Sequence, residues 1–128
     1  CWLSGADIIY ALMDIDSDAA LMRIYLQESE RHGHKALYES LIEEARGAGL
    51  SGATVLRGIR GFGPSSKILS SRVLDLSSDL PIVVQIIDRR ERVEAFLERV
   101  NAILDEVDSC ALVTLDPSRV VRSVDRKR

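Results

Sequence analysis

Gly61, Phe62 and Gly63 stand directly before Pro64, Ser65, Ser66 and Lys67, with Arg57 and Arg60 just upstream. Glycines let backbone N–H groups come close to an anion, hydroxyls add donors, and lysine and arginine supply charge. Guanidinium groups grip phosphate or carboxylate through two parallel hydrogen bonds. The chemistry that this composition supports is the binding of a small anion, a nucleotide among them. The run is not a P-loop, which requires a Gly-Lys-Ser/Thr ending. The same residues also suit a plain tight turn, with the arginines paired to surface carboxylates. Both readings stand on the residues alone.

Other chemistry is thinly represented. His32 and His34 share one loop, without a cysteine or a carboxylate at ligand spacing, so no metal site is expected. Asp14, Asp16 and Asp18 imitate the start of a calcium loop, but Ala19 stands where that loop needs glycine and Tyr25 where it needs glutamate. No Ser-His-Asp order, carboxylate pair or nucleophile elbow is legible, and the chain is not expected to be an enzyme. Glu28, Glu30 and Arg31 form a charged turn. Cys110 borders an apolar run and is expected to be buried and inert; Cys1 is far from it in sequence. A disulfide framework is not expected, and a reducing cytoplasm fits.

The elements that must position these residues follow from periodicity. A strand covers 21–26, and a polar loop covers 28–33. A helix over about 35–48 carries Leu37, Tyr38, Leu41, Ile42 and Ala45 at helical spacing, and Gly47 and Gly49 stop it. The second strand spans about 53–60. The loop 61–80 holds the Gly61–Lys67 run and a short strand near 72–76. The third strand is Pro81–Ile87. Asp88, with Glu91 three residues on, reads as the N-cap of a long helix, whose stripe is Val93, Phe96, Leu97, Val100, Ile103, Leu104 and Val107. A fourth strand covers 111–115, Asp116-Pro117 turns the chain, and Val120-Val121 extends the sheet. The order β-α-β-β-α-β predicts an α+β, ferredoxin-like antiparallel sheet with two helices on one face.

Composition agrees with one such domain. The chain has 128 residues, of which 46% are hydrophobic, enough for a core. Residues 1–18 read as an N-terminal extension, with Met13 a plausible native start. The domain then occupies 19–125, and 126–128 form a basic tail. A net charge of −3 gives no reason to expect nucleic acid. No apolar run approaches the ~18 residues of a membrane span, and no signal peptide is visible, so a cytoplasmic protein is expected. Strand three, Ile82-Val83-Val84-Gln85-Ile86-Ile87, is apolar on both parities. A sheet solvated on one face should alternate instead. Its second face is therefore expected to be covered by other copies, with clefts between subunits.

The element order, the Gly61-Phe62-Gly63 turn and the Leu80-Pro81 start of strand three resemble the PII signalling family. The runs Arg23–Leu26, Glu28–His32, Gly52–Gly58, Gly61–Gly63 and Asp79–Val83 are similar to an uncharacterised PII-like group, domain-of-unknown-function family 190. The resemblance implies a cytoplasmic homotrimer with ligand clefts at subunit boundaries, a possible adenine nucleotide or other small anion as ligand, and control of a partner. That partner is expected to be a membrane transporter or exporter. A ligand-free accessory subunit docking on such an exporter is the alternative. By the resemblance, Gly61, Phe62 and Gly63 lie against the ligand, Ser65, Ser66 and Lys67 follow, and Arg119 and Arg122 supply charge to phosphates. One departure is plain. The Gly-Asp-Gly-Lys phosphate loop of PII proteins is replaced by Asp105-Glu-Val-Asp-Ser-Cys110, whose three carboxylates repel a triphosphate. The implied ATP mode of PII proteins is therefore in question here.

Overall fold

The computed structural model describes residues 18–64, 68–70 and 79–124. Chain order gives β1 (Ala19–Gln27), β2 (Arg31–His32), β3 (Lys35–Ala36), α1 (Leu37–Gly47), β4 (Gly52–Arg57), β5 (Arg60–Phe62), β6 (Ile68–Ser70), β7 (Pro81–Arg89), α2 (Arg90–Glu106) and β8 (Leu112–Ser118). The main sheet has the order β4-β7-β1-β8, and all its pairs are antiparallel. This is the ferredoxin-like arrangement. β2 with β3, and β5 with β6, form two small hairpins outside it.

Burial alternates along the two central strands. Met22, Ile24 and Leu26 of β1 and Ile82, Val84 and Ile86 of β7 are buried on one face. They meet Leu37, Leu41 and Ala45 of α1 and Val93, Phe96, Val100 and Ile103 of α2 in one core. The other parity faces away from the helices, and the register aligns it in rows across the whole sheet. One row is Leu112, Tyr25, Val83 and Leu56. Leu112 is 56% exposed, Leu56 46% and Tyr25 40%. The next row, Thr114, Arg23, Gln85 and Thr54, is polar. Thr114 Oγ1 is buried there without a hydrogen-bond partner among the described residues. The doubled apolar pattern of strand three thus leaves an apolar row that no described residue covers fully.

Several local expectations are corrected. Asp88 is not a helix N-cap: β7 continues through Arg89, α2 begins at Arg90, and Arg89 at the cap position makes no side-chain cap bond. Asp88 lies on the core-facing parity of β7, 1% exposed, and its carboxylate accepts from the N–H groups of Arg89 (2.6 Å) and Ser51 (2.9 Å). Arg92 stands one helical turn on, 3.3 Å from the same carboxylate. Asp116-Pro117 does not turn the chain. β8 runs through both residues to Ser118 and stops before Val120. Pro117 is tolerated because β8 is an edge strand, whose outward-facing nitrogens have no ladder partner to lose. The second strand ends at Arg57, with β5 a separate piece. Cys110 is exposed, because β8 starts only at Leu112 and leaves Cys110 in the connection from α2. The strand expected near 72–76, Arg72 and the calcium-like aspartates Asp14 and Asp16 lie outside the described residues. Asp18 is described, and its carboxylate accepts from Arg90 Nε (3.0 Å) and Nη2 (2.9 Å) rather than facing an ion.

Candidate functional site

Strand β4 delivers the candidate site to the end of the sheet where β1 finishes and β7 begins. Arg57 stands opposite Ile82 in the ladder, and the Gly58 N–H donates to Pro81 O at 2.7 Å. A Cβ on Gly58 would sit 2.8 Å from Pro81 Cγ, so only glycine permits this approach. Gly61 passes the same proline at 3.4 Å from a would-be Cβ. The proline therefore acts as a post around which the chain turns into the β5–β6 hairpin. Substituting Gly58→Ala is expected to cost about 1–3 kcal/mol through forced displacement of Pro81. A shift in the urea midpoint with an unchanged slope would show it.

The hairpin itself stands out from the fold. Phe62 is 73% exposed, and nothing would lie within 4 Å of a Cβ on Gly63. Arg60 is exposed and has no ion pair with a described residue. Arg57 is paired with Glu28. Ser65, Ser66 and Lys67 lie outside the described residues. Gly61, Phe62, Gly63, Arg57 and Arg60 are thus brought together at one end of the sheet. Arg119 and Arg122 are not. They follow β8, whose last residue Ser118 pairs with Ala19 at the opposite end of β1. The nine residues of β1 separate the two ends, about 26 Å at ~3.3 Å per residue.

Glu28 and Glu30 of the expected charged turn organise this end, together with Ser29 between them. The Glu28 N–H donates to Leu80 O (2.9 Å). The Ser29 N–H and Oγ donate to the two oxygens of Asp79 at 2.9 and 2.6 Å. Glu30 accepts from the Gln27 N–H (2.8 Å) and from Ser109 Oγ (2.6 Å). Three neighbouring residues therefore tie two other segments, the one before β7 and the α2–β8 connection, to the end of β1. Ser29 and Asp79 are 50 positions apart, so no spacing rule could have paired them.

Two open grooves lie elsewhere, on the helix side. One, of about 550 Å³, is bordered by His32, His34, Lys35, Ser40 and Glu43. The other, of about 570 Å³, is bordered by Leu50, Arg92, Phe96 and Arg99. Their charges are already satisfied. Lys35 pairs with Glu43, His32 with Glu106 at 3.2 Å, and Arg99 with Glu44 at 3.0 Å. The hydrogen bond from Arg99 holds the Glu44 carboxyl below its usual range. We place the candidate site at the glycine hairpin, where Arg60 pairs with no described residue and the exposed Gly63 and Phe62 stand beside it. No group of metal-ligating side chains occurs among the described residues. No helix there is long and apolar enough to cross a membrane.

Comparison with known proteins agrees with this fold. Residues 19–120 match the model of a family described as "Uncharacterized ACR", domain-of-unknown-function family 190. A UPF0166 protein of Aquifex aeolicus (strain VF5) is 38% identical over 101 residues, covering 79% of this chain and 91% of that relative. A UPF0166 protein of Methanocaldococcus jannaschii is 27% identical over 86 residues, covering 67% and 79%. Among solved structures, the chain is similar to CPII, a nitrogen regulatory PII-like protein from Thiomonas intermedia K12 bound to ADP, AMP and bicarbonate. The TM-score is 0.61 at 17% identity, over 81% of this chain and 89% of that one. A candidate PII-like signalling protein from Thermus thermophilus gives 0.54 at 21% identity, over 81% and 93%.

Proposed function

Because the chain belongs to domain-of-unknown-function family 190 and has the PII-like fold, we propose that it is a homotrimeric PII-like sensor. It binds a small anionic metabolite or nucleotide in clefts between subunits and passes the bound state to a partner. The observation that carries this reading is the separation of Arg119 and Arg122 from the glycine hairpin, together with the uncovered row Leu112–Tyr25–Val83–Leu56. Sheet-to-sheet association of copies covers the row, and it can set one subunit's Arg119 and Arg122 beside another's hairpin. In that cleft Gly61 and Gly63 give backbone donors, Phe62 gives a ring face for a base, and Arg57 and Arg60 give charge. Ser65, Ser66 and Lys67 complete the set in sequence. The acidic run Asp105–Asp108 favours a ligand with fewer negative charges than a triphosphate. The ADP, AMP and bicarbonate of the Thiomonas protein are of that kind.

Calorimetric titration with ADP, AMP, bicarbonate and pyrophosphate tests the reading, with light scattering run beside it. Saturable binding by a trimer is expected. Arg60→Ala should weaken it about tenfold, the effect of losing a hydrogen bond from a charged donor. Absence of binding across the panel would overturn the sensor reading. A second reading, a ligand-free accessory subunit docking on a membrane exporter, is favoured by the exposure of Ile59 (82%) beside Phe62 on the same projection. Capture of such a partner, unaltered by any of these anions and abolished by Ile59→Asp, would support it instead.

A further inference from the structure

We infer that Glu28 is a built-in competitor for the anion: its carboxylate occupies the Arg57 guanidinium, and a ligand gains that arginine only by displacing it. This rests on the anion-site reading above and adds how that site is regulated.

Glu28 follows β1 and Arg57 ends β4, yet both backbones are tied to the same short segment. Glu28 is anchored through its N–H to Leu80 O, and Arg57 through the next residue, whose N–H donates to Pro81 O. Ser29 adds two bonds to Asp79, immediately before that segment. Arg57 stands opposite Ile82 in the ladder. Glu28 and Arg57 therefore flank residues 79–82 with little freedom left in either main chain. Most surface ion pairs gain little because two long side chains must be ordered to form them. Here the backbone bonds hold the two main chains at a fixed separation, so each side chain finds the other within reach. The Glu28 side chain is also about three-quarters covered, while Arg57 remains more than half exposed and open to a ligand from the solvent side. Arg60 has no such partner among the described residues. The two arginines thus differ: Arg57 is held by an internal carboxylate, and Arg60 pairs with no described residue. A ligand with one anionic group can use Arg60 alone. A ligand with two adjacent anionic groups can also take Arg57, and in doing so it releases Glu28 beside Leu80.

The test uses pyrophosphate as probe and phenylglyoxal, which labels unoccupied arginine side chains, as reporter. The labelling rate of Arg57 is read by peptide mass spectrometry in the wild-type chain and in Glu28→Gln. Glutamine keeps the shape and the main-chain N–H of residue 28 and removes the charge. Arg57 should label about two- to five-fold faster in the variant, the range corresponding to an exposed ion pair, with Arg60 unchanged. Pyrophosphate should protect Arg57 at a concentration lower by the same factor in the variant. Equal labelling of Arg57 in both proteins would overturn the inference, since Glu28 would then not hold it. Faster labelling with equal protecting concentrations would overturn the competition. Faster labelling with no protection in either protein would overturn the competition and the anion-site reading together, which separates that result from the first two. Circular dichroism of the variant matching the wild type shows that the fold is intact.

Discussion

A Val83→Glu protein is expected to elute and scatter light as a monomer while keeping the helix and strand content of the wild type. Val83 sits in the middle of the uncovered row, flanked by Tyr25 on β1 and Leu56 on β4. Its side chain points away from the helices, so the core of Met22, Ile24, Val84 and Phe96 is untouched. In the assembly proposed above, each copy would bring one unpaired carboxylate into an apolar contact. Burying such a charge costs several kcal/mol per site, enough to raise the dissociation constant by roughly a thousand-fold or more. Thr54→Glu, in the polar edge row, should have a much smaller effect. A trimer that persisted in Val83→Glu would place the contact on another surface and would remove the inter-subunit cleft.

Removal of the Asp88 side chain should produce the largest loss of stability among single polar substitutions. In Asp88→Ala the N–H groups of Ser51 and Arg89 lose their acceptor, and Arg92 loses the carboxylate next to it. An unsatisfied buried donor costs about 1–3 kcal/mol. With two donors affected, a loss of about 2–4 kcal/mol is expected, read from urea unfolding followed by circular dichroism. Asp88→Asn keeps one acceptor oxygen and should fall between. Breaking the exposed Lys35–Glu43 pair should leave the midpoint almost unmoved, because water screens it.

The contrast between Asp88 and the strands shows which parts of this fold local sequence can encode. Element order, both helices and the core stripe of α2 follow from hydrophobic spacing, a short-range property, and the structure has them. Strand three places Val83 and Gln85 on the face away from the helices, and the cover by other copies that its double-faced pattern led us to expect belongs to the proposal above. Asp88 failed as a cap because Asp-x-x-Glu is ambiguous. The same carboxylate can satisfy donors of a neighbouring connection, and that geometry depends on Ser51, 37 positions away. Asp116-Pro117 failed for a related reason. Proline signals a break only if its strand lies inside a sheet, and sequence does not state that β8 is an edge. Cys110 was misplaced by one residue of strand boundary, since β8 starts at Leu112 and not at 111. At the candidate site, Gly61–Gly63, Arg57 and Arg60 were found together as their proximity in sequence suggested. The Glu28–Arg57 and Ser29–Asp79 pairings were not legible, since loops meeting at one end of a sheet leave no periodic trace.

Pro117 has a consequence beyond the local geometry of β8. An exposed sheet margin invites side-by-side recruitment of further strands, the route to fibrils. A strand recruited along β8 would find no N–H at Pro117 and would have to accommodate Asp116 beside it. The Ser118 half of that margin is therefore a poor template for lateral growth. Molecules that gather through the flat of the sheet can close into a finite particle, whereas runaway stacking along the ladder is discouraged by one imino acid.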